Sequence, residues 1–174
     1  MRQPARAGEL KRQAARIEGR ATLTATLPYR IAAVVLVLFA AGHTFGFLSF
    51  RPSSAEGLAV YNAMNSVQFD FNGAVRSYAE FYTGFGLLVT VYLLFCAFLA
   101  WHLGGLAARQ PRSIGVLAWA FVAVQSASLV LSVLYFFLVP ALLSAVIVVC
   151  LLWAAWLLRR AVSGNDESRL VRES

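Results

Sequence analysis

Four long apolar runs, separated by segments that hold nearly all of the arginine, constrain this chain more than any other feature. Ile31 to Phe50, Phe81 to Leu103, Ile114 to Leu134 and Ala141 to Leu158 are each long enough to cross about 30 Å of hydrocarbon at about 1.5 Å of helical rise per residue. No segment alternates polar and apolar residues over about ten positions, which excludes a closed barrel. Hydrophobic residues are 60% of the 174 and charged ones 13%, too little polar surface for a water-soluble domain of this size. The predicted fold is all-α: a polytopic membrane protein with four transmembrane helices in an up-down bundle and an amphipathic helix in the first extracytoplasmic loop. A basic segment at 1–29 precedes the membrane domain at 30–160, and a tail at 161–174 follows it.

Basic residues set the predicted orientation. Arg2, Arg6, Lys11, Arg12, Arg16, Arg20 and Arg30 precede the first span, Arg109 and Arg112 lie in the second connection, and Arg159, Arg160, Arg169 and Arg172 follow the last span. The first connection holds only Arg51 and Arg76, and the third holds none. By the positive-inside rule both termini and the middle loop are cytoplasmic. The net charge of +7 then describes a cytoplasmic face attracted to anionic lipid heads. It does not point to nucleic acid, because Arg2 to Arg20 is a loosely spaced basic segment with Glu9 and Glu18 interspersed and no interleaved aromatic residue to stack on bases. Leu10, Ala14, Ile17 and Leu23 form a weak apolar stripe that fits a short interfacial helix. Ser53-Ser54-Ala55 offers a cleavage-like spacing, but the preceding apolar run is longer than the core of a signal peptide.

The connections are short except the first. Pro52-Ser53-Ser54 ends the first span, and Ser54 with Gly57 brackets a new helix start. Leu58, Tyr61, Ala63, Met64, Val67 and Phe71 recur at helical spacing, predicting a lid helix on which Gln68 and Asp70 are solvated, with Asn72-Gly73 as the turn that ends it. Gly104 to Arg112 reads as a polar turn, and Pro140 sits at a helix start. Gly42 and Gly46 form a GxxxG step that, with Gly84 and Gly86, predicts close packing of the first two spans. Cys96 and Cys150 lie inside spans, outside any CxxC or metal-ligand spacing, and read as small apolar fillers. His102 with Trp101, and Trp153 and Trp156 with Arg159-Arg160, read as interfacial anchors.

Ionisable groups inside hydrocarbon are costly, so His43 and Glu80 are the candidate catalytic residues. Thr44, Tyr82, Gln125, Ser128, Ser132 and Tyr135 are the candidate ligand-binding residues, gathered with Tyr78 and Ser144 in the outer half of the bundle. They predict a polar-lined cavity under the lid. His43 and Glu80 read either as a hydrogen-bonded pair that fixes register or as a proton-transfer pair acting on an apolar substrate. Arg76, one turn before Glu80, competes for the carboxylate.

Gly42-His43-Thr44-Phe45-Gly46 and Phe81-Tyr82-Thr83-Gly84-Phe85-Gly86-Leu87 resemble the paired signatures of an uncharacterised family of small four-span bacterial integral membrane proteins, over roughly residues 30 to 160. That resemblance implies a bacterial inner membrane. At fold level the arrangement is also similar to the DoxX-like proteins and to the bundle of sterol isomerases and the sigma-2 receptor, which implies an intramembrane pocket for sterol-like molecules held by acidic residues. Only Glu80 and His43 carry over, since the third and fourth runs contain no acid.

Three functions follow from the residues: a bundle that binds a hydrophobic small molecule or lipid, with or without proton transfer; an accessory or structural subunit of a membrane complex, as homo-oligomer or beside a partner subunit; and a small transporter. Whether the chain is an enzyme stays open at this level. No P-loop, dinucleotide fingerprint or metal-ligand cluster occurs in the sequence, so neither a cofactor nor a metal is expected.

Overall fold

A computed structural model of the chain describes the backbone of residues 3–173 and the side chains of 25–161 and 163. In order, the elements are α1 (Gln3–Ser49), α2 (Ala55–Ser66), β1 (Gln68–Phe71), β2 (Ala74–Ser77), α3 (Tyr78–Arg109), α4 (Gly115–Tyr135) and α5 (Leu138–Glu173). Ala25–Ser49, Tyr78–Arg109, Gly115–Tyr135 and Leu138–Ala161 are long and apolar enough to cross a membrane. The chain is therefore an all-α, multi-pass membrane protein, with links as short as Phe136-Phe137 returning one span against the last.

Two boundaries differ from expectation. The helix of the first span begins at Gln3 and runs through Pro28, so the leader continues the span. The stripe of Leu10, Ala14, Ile17 and Leu23 lies outside the described side chains. At the other boundary α3 continues through Gly104-Gly105 to Arg109 and leaves only 110–114 as the connection. Glycine suits position 104 because a neighbour crowds the space a side chain would need: a Cβ there would stand 3.2 Å from the Cβ of Tyr29.

By contacts the chain forms two compact units, Met1–Leu36 with Cys96–Ser174, and Val37–Phe95. In the first, α1 contributes Ala25, Tyr29, Ala32 and Leu36, α3 contributes Cys96, Ala100, Leu103 and Ala107, and α5 contributes Ile147, Leu151, Ala154 and Leu158, all buried. The three- and four-residue steps put each set on one helical stripe. Half of these residues are alanine or cysteine, as expected where helices associate in lipid by close packing rather than by escape from water. Cys96 and Cys150 are buried in this core and are not joined in a disulfide. Between α4 and α5 lie three buried polar side chains, Gln125, Ser132 and Ser144. Ser132 donates to the Ser128 carbonyl at 2.9 Å and sits 3.3 Å from the Ser144 hydroxyl.

The second unit holds the ends of α1 and α3 that flank the first connection, together with α2 and the two strands. Ser54 caps α2 by accepting from the Gly57 N–H at 3.0 Å, as its position predicts. The lid helix then stops at Ser66, eleven residues (67–77) short of the second span, and a hairpin fills the interval. Its strands pair Gln68 with Ser77 through Phe71 with Ala74. Asn72 (φ 53°) and Gly73 (φ 85°) both take the positive φ of a two-residue hairpin turn, and the Asp70 carboxylate accepts from the Gly73 N–H at 2.8 Å. Val67, Gln68, Asp70 and Phe71 therefore leave the predicted helical face. The Asn-Gly turn closes a hairpin instead of merely ending a helix.

Candidate functional site

The sequence-predicted site residues of the second unit lie on α1 and α3, and among them Tyr82 lines a cavity. The cavity measures about 640 Å³ and is bounded by the end of α1, by α2 and by the start of α3. Phe47, Tyr61, Met64 and Tyr82 give it aromatic and thioether walls, and Arg51, Asn65 and Thr83 supply polar groups. On α2 the half-buried residues Gly57, Tyr61 and Met64 form the inward stripe, a face rotated from the predicted one, with Leu58 43% exposed. Arg51 lies 4.9 Å from the Tyr61 ring, within the range of a cation–π contact, and donates to the Phe50 carbonyl at 3.0 Å.

His43 stands behind this wall. Its ring stacks on Phe47 with centroids 5.7 Å apart and planes 5° from parallel, and Phe47 in turn meets Tyr82 at 5.2 Å. Nε2 of His43 is 3.0 Å from the Gly86 carbonyl oxygen. A carbonyl only accepts, so Nε2 carries the proton in this contact. The neighbouring hydroxyls are consistent with this. Thr44 donates to the Ala40 carbonyl at 2.7 Å, which makes Thr90 the donor in the 2.8 Å Thr44–Thr90 contact; the Thr90 hydroxyl also lies 3.4 Å from the Gly86 carbonyl, farther than His43.

Glu80 is elsewhere. Its carboxylate accepts from the Ser77 N–H at 2.7 Å while the Ser77 hydroxyl accepts from the Glu80 N–H at 3.1 Å. This reciprocal pair is the capping box of α3. Glu80 lines a separate groove of about 330 Å³ with Arg76, Phe81 and Gly84, and Arg76 donates to the Val75 carbonyl at 2.7 Å. The expected meeting of His43 with Glu80 does not occur: one is tied to Gly86, the other to Ser77. The Ser77-x-x-Glu80 spacing was the signal in the sequence for this role.

Of the glycines expected to pack helices, one does. A Cβ on Gly86 would run into the Phe47 ring, whereas Gly42, Gly46 and Gly84 have nothing within 4 Å of the corresponding position. The predicted GxxxG contact is thus replaced by Gly86 alone, and Gly42 and Gly46 face outward.

The remaining candidates belong to the first unit. Gln125 is 2% exposed and Ser132 7%, both in the α4/α5 seam. Ser128 donates to the Val124 carbonyl at 3.1 Å, and Tyr135 is 75% exposed at the end of α4. Among the described residues no group of three or more His, Cys, Asp or Glu gathers closely enough to hold a metal. The geometry defines a multi-pass helical membrane protein with an aromatic cavity beside its first connection. No protein-family model, curated protein or solved structure matches the chain.

Proposed function

We propose that this is a binding protein of a bacterial inner membrane, both termini cytoplasmic, that holds a hydrophobic small molecule or lipid in the cavity under α2. The observation that carries the reading is the cavity itself: about 640 Å³, walled by Phe47, Tyr61, Met64 and Tyr82, with Arg51 and Asn65 to orient a polar end. Such a volume and such a mixture of apolar wall and few polar groups suit a small amphipathic ligand. The basic termini and the arginine-poor first connection support the orientation, and the two glycine-bearing signatures support the bacterial family. We propose binding without turnover, because a proton relay needs two groups in reach of one another, and His43 and Glu80 are held by different backbone groups.

Mass spectrometry of small molecules that co-purify with the gently extracted protein tests this. Thr83→Trp, which fills the cavity from α3, is expected to lose a specific isoprenoid or lipid that the wild type retains. Bulk membrane lipid alone in both samples would refute it. That outcome would favour the accessory-subunit reading, which has its own observation in the uncovered Gly42 and Gly46 face of α1.

A further inference from the structure

Arg30 is a charged side chain at the edge of the first apolar run, one residue before Ile31, with a donor unmet among the described residues. It is half-buried, and its Nη1 is shut away without a hydrogen-bond partner, as is the hydroxyl of the adjacent Tyr29, itself 1% exposed. The guanidinium lies flat on Trp101, its carbon 3.4 Å from the ring centroid. The side chain crosses α3 at Gly104, where Arg30 Nε lies 3.5 Å from the position a Cβ would take. Thr26 is already committed, donating to the Gly104 carbonyl at 3.1 Å.

A guanidinium has five donors and stays charged, so leaving it uncompensated in a low-dielectric site is unfavourable. Among the described side chains of this unit none is a carboxylate, since no Asp or Glu occurs between Glu18 and Glu56 or between Glu80 and Asp166. Around Arg30 the exposed side chains are apolar, with Leu27 and Trp101 each 55% exposed and Phe98 64%. A ligand that brings an anion and also covers these groups is amphipathic. At the edge of an apolar run, the anion available is a lipid phosphate.

We propose that Arg30, on its Trp101 platform, is a binding site for the phosphate of an anionic phospholipid whose acyl chains lie over Leu27, Phe98 and Trp101. Arg30 supplies the charge-assisted donors, and Trp101 fixes the plane of the fork. The site is separate from the cavity under α2 and stands whether or not that cavity binds a ligand. Arg160, exposed and 3.7 Å from the Trp156 ring, is the natural control: it is an arginine on a tryptophan without a buried unmet donor.

The test uses the full chain in phosphatidylcholine nanodiscs doped with phosphatidylglycerol, released into native mass spectrometry. Wild type and Arg160→Gln are expected to retain phosphatidylglycerol equally, and Arg30→Gln about tenfold less, the loss of one charge-assisted contact. Trp101→Leu, a change at an exposed position, is expected to weaken retention in the same direction if Arg30→Gln fails to fold. Equal retention by Arg30→Gln or Trp101→Leu and wild type would overturn the proposal. So would equal losses in Arg30→Gln and Arg160→Gln, which would indicate bulk attraction. Displacement of the lipid by added inorganic phosphate would assign the site to the free anion instead.

Discussion

The two units treat their polar side chains differently. Between α4 and α5 the polar groups are sealed: Gln125, Ser132 and Ser144 are each under 8% exposed, and Ser132 bonds within its own helix and toward Ser144. In the other unit the polar groups are half-open. His43, Thr44 and Tyr82 are half-buried or exposed and are grouped around or behind empty space. Hydroxyls satisfied inside a helix pair fix how two helices meet. Side chains anchored on one side and facing a cavity on the other are what a ligand would encounter. The seam is therefore read as structure and the cavity as the working region, and substitutions in the two should behave differently.

The largest effect is expected in the seam. Ser144→Leu puts a branched side chain into a position 3% exposed and is expected to cost about 2–3 kcal/mol through overpacking, read as lower thermal stability in detergent. Thr83→Trp, which enters the cavity, is expected to leave stability nearly unchanged while ligand retention falls. Equal destabilisation by the two would erase the distinction between the regions.

Next is Gly86→Ala. Its Cβ would displace the Phe47 ring, and with it the stack that runs from His43 to Tyr82, so a loss of about 1–2 kcal/mol should accompany reduced ligand retention. Gly42→Ala and Gly46→Ala meet nothing within 4 Å and are expected to stay within about 0.5 kcal/mol of wild type. A strong effect at Gly42 or Gly46 would reveal a packing partner outside the chain.

Glu80→Gln sharpens the comparison further. The Gln amide oxygen still accepts from the Ser77 N–H, so the capping box persists and stability should stay within about 0.5 kcal/mol, whereas Ser77→Ala should cost about 0.5–2 kcal/mol, and ligand retention should persist in both. If Glu80→Gln abolished retention at normal stability, Glu80 would belong to the site after all.

How far these features were legible depends on the physics behind each. Spans are legible because lipid demands long apolar helices, and the stop at Pro52 and the cap at Ser54 follow from local chemistry. The hairpin was readable too: Asn72-Gly73 between short, partly alternating segments is a strong hairpin signal, but the apolar spacing from Leu58 to Phe71 also fits a helix and suggested the wrong continuation. Ser77-x-x-Glu80 carried the capping box in plain sight. What the sequence does not encode locally is which face of one helix meets another. Whether Gly46 or Gly86 is the point of contact, and whether Arg30 reaches Trp101, depend on the rotation of whole helices, and periodicity leaves that undetermined where most faces are apolar.

The most local expected effect is in the hairpin, and it separates the lid from its neighbour. Asn72 holds φ at 53°, a conformation that costs most L-residues about 1 kcal/mol and asparagine less. Asn72→Ala should therefore weaken the hairpin by about 1 kcal/mol, while Asn72→Gly should preserve it. Phe69 touches Tyr78 and Phe81 at the start of α3, but no residue of β1 or β2 lines the cavity under α2. Faster hydrogen exchange in Asn72→Ala should accordingly be confined to residues 68–77, with ligand retention unchanged. A loss of retention in Asn72→Ala that Asn72→Gly does not share would mean that the hairpin holds α2 over the cavity, and that the lid is the whole connection rather than its helix alone.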